Sequence, residues 1–406
     1  MSFKKINILN RSLEELKADM VAMGEQTYRG EQVFRWLYQG KRTCVKSKNI
    51  SNSFSSMTNL PISLISKLEE NYILNSMKPL NQIVSKDQHT IKYLFLLEDN
   101  NIIESVIMKY NHGNTLCLST QVGCAMGCRF CASTINGLVR NLTPGEMMEQ
   151  VLLTNQSIID LGWGVIKNLV LMGSGEPLDN YTNTMKFLKL IHDPKGFNLS
   201  YRNITLSTCG LVPKIYALAE EKLPINLAIS LHASNDEIRR KIMPIANAFS
   251  IEEVIKASRF YYENTGRRIT FEYALIRGMN DGPDQAEELA SILKNFACHV
   301  NLIPLNENSH TVLRSSSDVS IQKFISILRN VGINVTCRRE MGQDIDGACG
   351  QLKARYMEEV ETLNAEAKKT YEDKAFETFD IFNNATIENE LKKDRGVSGG
   401  TWGIQS

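Results

Sequence analysis

The 406-residue chain contains no run of about twenty apolar residues, and its first ten residues, MSFKKINILN, lack the hydrophobic core of a signal peptide. A membrane span and an export leader are not expected, and the chain reads as a soluble cytoplasmic protein. Cysteine is scarce: nine thiols are too few for a disulfide scaffold of this size, so in a reducing compartment each is expected to be free, metal-bound or catalytic. A strong charge of either sign is also missing, the net value being +1. That balance is uneven, because residues 356–406 hold 6 basic against 11 acidic side chains and residues 1–355 hold 40 against 34. Residues 1–92 alone hold 14 against 8. A basic segment beside a neutral domain suits a nucleic-acid partner, although a surplus of this size also occurs on ordinary solvated surfaces. No solenoid-type repeat is visible.

Apolar residues recur at three- and four-residue steps over 11–24 and 28–40, which predicts two short helices, with more helix expected around 59–72. HTIKYLFLLEDNNIIESVIMKY (89–110) reads as two alternating strands around the turn-prone Asp99-Asn100-Asn101. Further on, apolar runs at roughly 115–120, 168–173, 203–208, 225–231, 269–276, 299–304 and 333–338 alternate with helix-like segments. This is the pattern of repeated β/α units on a parallel sheet, closed fully or partly into a barrel whose site lies at the C-terminal strand ends. The expected fold class is α/β, a partial (β/α)6-type barrel. The expected division is a small helical module over 1–85, the hairpin and barrel over 86–355, and a charged, partly disordered tail over 356–406.

Directly after the first barrel run, Cys124, Cys128 and Cys131 stand in a C-x3-C-x2-C spacing with no fourth cysteine nearby. A ferredoxin-type cluster takes four protein thiolates and a zinc ribbon takes two C-x2-C pairs, and neither pattern fits. Three thiolates can hold three irons of a four-iron cluster and leave the fourth open to a small chelator. The alternative is a zinc site completed by a distant histidine, yet none of the six histidines lies at ligand spacing from this loop.

CAMGCRFC resembles the signature of the radical S-adenosylmethionine (SAM) superfamily. The resemblance implies a [4Fe-4S] cluster on Cys124, Cys128 and Cys131, with the open iron chelated by SAM, whose sulfonium is cleaved to a 5′-deoxyadenosyl radical. Gly173-Ser-Gly-Glu-Pro177 is similar to the segment that meets SAM's amino group; glycine lets backbone approach a ligand, and Glu176 offers an acceptor for an ammonium. TLCLSTQVGC around Cys117, RNLTPGE (140–146), ISLHAS (229–234), NLIPLN (301–306), MGQDIDGACGQL (341–352) and YRGEQVFRWLY (28–38) resemble the RlmN/Cfr family of adenine methyltransferases over residues 10–355.

That resemblance implies methylation of adenine C2, an electron-poor ring carbon that does not attack a sulfonium methyl directly. In the family one SAM methylates the cysteine matching Cys349, and a second supplies the radical. The thiol matching Cys117 then releases the RNA adduct by forming a disulfide with Cys349, and the base that removes the C2 proton falls on Glu104. Met172 matches a methionine near the methylated cysteine, and SAM contacts carry over to Gly175, Glu176, Ser207, Ser230, Leu231, His232 and Asn306. The implied partners are 23S rRNA, tRNA and an electron donor such as flavodoxin or ferredoxin, with the protein a monomer. Read without the resemblance, Glu104 is a solvent-facing strand residue, Met172 a core residue, and His232 and Asn306 local hydrogen-bonding groups. C8 methylation of the same RNA, a non-catalytic cluster-binding sensor and a glycyl-radical activase are the alternatives. Cys44, Cys209, Cys298 and Cys337 read as small buried apolar residues. Ser174 stands where the family usually has methionine, which leaves open whether that side chain touches SAM.

Overall fold

The computed structural model describes residues 5–38, 53–306, 312–338, 342–345 and 347. Residues 1–353 make one compact unit. The expected tail, Cys44 and Cys349 lie outside the described residues.

Strand β1 (Ile6–Asn7) is followed by helices α1 (Leu13–Ala22), α2 (Tyr28–Tyr38) and α3 (Ile62–Asn71), and then by β2 (Tyr72–Ile73), which pairs with β1 in parallel. These are the helices the periodicity predicts. Ser12 and Glu15 cap α1 reciprocally, satisfying backbone donors that the first turn leaves open, and α2 buries Val33, Phe34, Leu37 and Tyr38 along one stripe. Strands β3 (Met77–Val84), β4 (Thr90–Leu97), β5 (Ile102–Tyr110) and β6 (Gly113–Cys117) form an antiparallel meander. The hairpin β4–β5 stands where expected. Strand β3 is an addition: Pro79 and a register shift between Pro79 and Asn81 blur its alternation, and its place at the sheet edge tolerates both.

The short hairpin β7 (Gln121–Gly123) and β8 (Leu138–Asn141) brackets the three cysteines. Then α4 (Pro144–Asp160), β9 (Ile166–Leu171), α5 (Tyr181–His192), β10 (Ile204–Thr208), α6 (Val212–Glu220), β11 (Asn226–Ser230), α7 (Asp236–Ile242), α8 (Ile251–Thr265), β12 (Ile269–Leu275), α9 (Pro283–Leu293), β13 (Cys298–Pro304), α10 (Asp318–Asn330) and β14 (Asn334–Cys337) complete the alternation. One sheet runs in the order β14-β13-β12-β11-β10-β9-β6-β5-β4-β3. From β6 to β14 neighbouring strands are parallel, so the meander is continuous with the barrel sheet.

The two-residue period sorts the strands' side chains. Leu169, Leu171, Leu206, Leu227, Ile229, Phe271, Tyr273, Val300 and Leu302 join one core that begins at Ile8 and ends at Val335. The alternate residues Val170, Met172, Thr205, Ser207, Ser230, Glu272 and Asn301 line the lumen. Lys186–Glu15 and Lys195–Glu31 bridges, each 2.6 Å, tie α5 and the loop after it to the N-terminal helices.

Candidate active site

The cysteine loop is wound by its own backbone: Cys124 N–H donates to Gly137 O at 2.9 Å, and Cys131 N–H to Cys128 O at 3.0 Å. Cys124, Cys128 and Cys131 all line a cavity at the C-terminal ends of the parallel strands, together with Glu176, Ser207, Ser230, His232 and Asn306. The cysteines were grouped by their spacing and the other residues by the family resemblance, and all of them line this one cavity. Burial pushes the Cys124 thiol up to about 12 and the Cys128 thiol higher still. Such thiols ionise when a metal takes the place of the proton, which is the chemistry of a cluster ligand. Among the described residues no three His, Cys, Asp or Glu side chains converge tightly enough for a single ion. A cubane does not need that convergence, because each thiolate meets its own iron, and three thiols around one cavity therefore fit it.

The turn 173–177 is pressed against the strand β6 exit. A Cβ on Gly173 would lie 2.6 Å from the Leu118 backbone, and Gly175 has φ +104°, so neither position accommodates a side chain. Glu176 is buried and lines the cavity. Its carboxylate accepts from Leu178 N–H at 3.0 Å and Cys209 N–H at 2.7 Å, fastening the turn to the end of β10. Desolvation pushes this carboxyl above its usual range. Ser174 is not among the residues lining the cavity; its Oγ lies 3.5 Å from Gly123 O.

At the ends of β10 and β11, Ser207 Oγ and Ser230 Oγ stand 3.4 Å apart. His232 adopts φ +56° and is buried, its Nδ1 accepting from Ala274 N–H at 2.9 Å, so the ring proton resides on Nε2. Burial, aided by the buried Arg239 guanidinium, lowers its pKa to about 3, and the imidazole stays neutral. Leu231 is buried in the core and is not among the residues lining the cavity. Arg239, fully buried, donates to the carbonyls of Cys209 (2.6 Å), Leu231 (3.2 Å) and Phe249 (3.2 Å), stapling the strand ends that carry these groups.

Cys117 ends β6 on the lumen face. It clusters with Val106 and Met108, and Met172 packs against them; the cysteine that Met172 was expected to neighbour, Cys349, lies outside the described residues. Glu104 shares that face of β5, buried and not solvent-facing, with Lys92 of β4 at 3.1 Å. Gly342 and Asp344 reach the β3–β4 turn and the start of β4: Asp344 accepts from Lys86 N–H at 2.8 Å, and a Cβ on Gly342 would lie 2.8 Å from Thr90 Cγ2. Cys209 and Cys298 are buried as expected, whereas Cys337 is exposed because β14 is an edge strand with one side of its sheet open.

Lys92, Arg239, Glu272 and Arg338 were not singled out in the sequence. Lys92 carries a visible signal, a lone charge inside the apolar run IKYLFLL; Arg239 has none, since it sits among the charged residues of DEIRRKI. No helix among the described residues is long and apolar enough to cross a membrane.

Residues 118–293 match the Radical SAM superfamily, and residues 6–74 match the ribosomal RNA large subunit methyltransferase N-terminal domain. Proteins described as probable dual-specificity RNA methyltransferase RlmN are similar over nearly their whole length: that of Clostridium tetani is 51% identical over 355 residues, 87% of this chain and 98% of the relative. That of Clostridium novyi is 52% identical over 351 residues, 86% of this chain and 98% of the relative. The crystal structure of a radical SAM methyltransferase from Sphaerobacter thermophilus superposes with a TM-score of 0.81 at 42% identity, covering 86% of this chain and all of that one. With the three-thiol cavity at the head of a parallel partial barrel and this likeness along most of its length, the chain belongs to the RlmN family of radical SAM proteins.

Proposed function

We propose that this protein is a radical SAM RNA methyltransferase that places a methyl group on C2 of adenine in 23S rRNA and in tRNA, working in the cytoplasm as a monomer with flavodoxin or ferredoxin as electron donor. Cys124, Cys128 and Cys131 hold a [4Fe-4S] cluster, and SAM fills the cavity beside it. When bound, cluster and SAM together supply the methyl group and the 5′-deoxyadenosyl radical. The observation that carries the reading is that the wall bearing Cys117 and Met172 is continuous with the cavity lined by the three thiols.

The turn 173–177 offers backbone carbonyls to an ammonium while Glu176 holds the turn in place. Ser207, Ser230, neutral His232 and Asn306 present hydroxyl, Nε2–H and amide groups to the rest of SAM. Cys349 carries the methyl carbon to the base, Glu104 takes the C2 proton, and Cys117 Sγ attacks the Cys349 sulfur, breaking its bond to that carbon, which stays on C2 and takes up a proton while the two sulfurs are left as a disulfide. The N-terminal module, 1–85, adds a basic RNA-binding surface to the catalytic unit.

Two cysteine variants test this. Cys117→Ala is expected to trap RNA covalently on the protein, seen as an RNase-trimmed mass adduct, while Cys349→Ala gives neither adduct nor methylated RNA. Equal product from both would sink the proposal, and mass spectrometry finding only 8-methyladenosine would replace C2 by C8.

A further inference from the structure

Arg239 of α7 is fully buried, and its hydrogen bonds go to backbone carbonyls: Cys209 O at 2.6 Å, Leu231 O at 3.2 Å and Phe249 O at 3.2 Å. Carbonyls satisfy the donors of a guanidinium and leave its charge without a counter-ion. Among the described residues the carboxylate whose charge acts on it is Asp236 of the same helix, which itself accepts from Ile251 N–H at 2.8 Å. A buried cation of this kind is costly unless an anion compensates it.

The compensating anion has a place behind which Arg239 stands. Helix α7 carries the cysteine loop: Arg129 N–H donates to Ile242 O at 2.9 Å, and a Cβ on Gly127 would lie 3.2 Å from Pro244 Cγ. Cys209, whose carbonyl Arg239 holds, belongs to one apolar cluster with Cys128, and both line the thiol cavity. The Arg239 charge reaches this wall. Against the burial that raises the Cys128 thiol it favours the thiolate, and together with burial it keeps His232 neutral. Two carboxyls line the cavity, Glu176 and Glu272, and desolvation pushes both above their usual range, toward the neutral form. Arg338 in the lining is part-exposed, where water weakens its field.

We propose that Arg239 is the buried counter-cation of the iron–sulfur cluster and sets its reduction potential. Three thiolates on such a core make the site net negative. Reduction adds one electron, taken from a one-electron donor that is itself oxidised, with no bond made or broken. A fixed cation behind Cys128 therefore favours the reduced state over the oxidised one and raises the potential. This rests on the reading that Cys124, Cys128 and Cys131 hold the cluster, and adds the group that makes it reducible.

The test uses full-length protein reconstituted anaerobically with iron and sulfide, without SAM, titrated with dithionite and followed by the EPR signal of the reduced cluster. Arg239→Gln keeps hydrogen-bond donors and removes the charge. At a fixed potential its reduced-to-oxidised ratio is expected to fall about tenfold, which is about 59 mV for one electron. Arg239→Lys keeps the charge and loses the planar fork, so its melting midpoint is expected to drop while the ratio stays close to wild type. A wild-type potential in Arg239→Gln, or an equal fall in both variants, overturns the assignment, the latter leaving Arg239 a staple alone. If both buried variants lose the cluster, Asp236→Asn decides, because it keeps an acceptor for Ile251 N–H and removes the opposing charge. A higher reduced fraction than wild type then supports the assignment, and an unchanged or lower one overturns it. Wild-type protein that takes up no cluster brings down the cluster reading and this inference together. Protein that shows the Arg239-dependent potential and leaves RNA unmethylated supports the assignment and brings down only the methyltransferase reading.

Discussion

Lys92 and Glu104 are 6% and 4% exposed at the side chain and 3.1 Å apart, a buried pair on adjacent strands. Removing one member of a buried ion pair costs about 3–5 kcal/mol. Lys92→Met is therefore expected to lower the unfolding midpoint. A midpoint equal to wild type would show that the pair does not hold the β4–β5 hairpin. Ser174 gives the opposite expectation. Its hydroxyl faces Gly123 and not the cavity, so Ser174→Ala should leave SAM affinity, measured by equilibrium binding, within about twofold.

Helix α4 joins the N-terminal module to the sheet through one carboxyl. Glu149 Oε1 accepts from Asn7 Nδ2 at 2.8 Å and Ser76 N–H at 2.9 Å, and burial raises its pKa from 4.5 to about 7. A raised folded-state value means that the folded protein binds the extra proton between those limits. Stability from this group is thus full below pH 4.5 and lost as pH rises through 7, by about 3 kcal/mol in order of magnitude. Glu149→Gln keeps the acceptor and removes the titration. Its melting midpoint should exceed wild type by more at pH 8 than at pH 5; parallel midpoints across that span would contradict the assignment.

Across the whole molecule the core is continuous from the N-terminal helices to β14, and Phe34 of α2 is fully buried in it, against Gly196. The helical module should therefore melt with the barrel in one transition. Phe34→Ala, worth about 3–5 kcal/mol, is expected to lower that single calorimetric midpoint, not to split off an early one. An N-terminal transition separate from the barrel's would show two independent folding units.

By itself the sequence determined the periodic elements and the chemistry. Seven apolar runs became seven parallel strands, because every second residue of each strand packs into the core and must be apolar. The thiol spacing and the glycine turn were legible because each demands specific residue types at specific separations, whereas Cys117 and Cys349 were marked only by the family resemblance. Only the tertiary structure decided what each side chain touches. Glu176 became a clamp for its own turn, Cys209 a donor to it and Arg239 a staple across two strands, since burial obliges every polar group to find a partner wherever the fold supplies one. The edge strand β3 and the exposure of Cys337 follow from strand order and curvature. These join residues more than a hundred positions apart, and no local pattern records which strand will lie beside which.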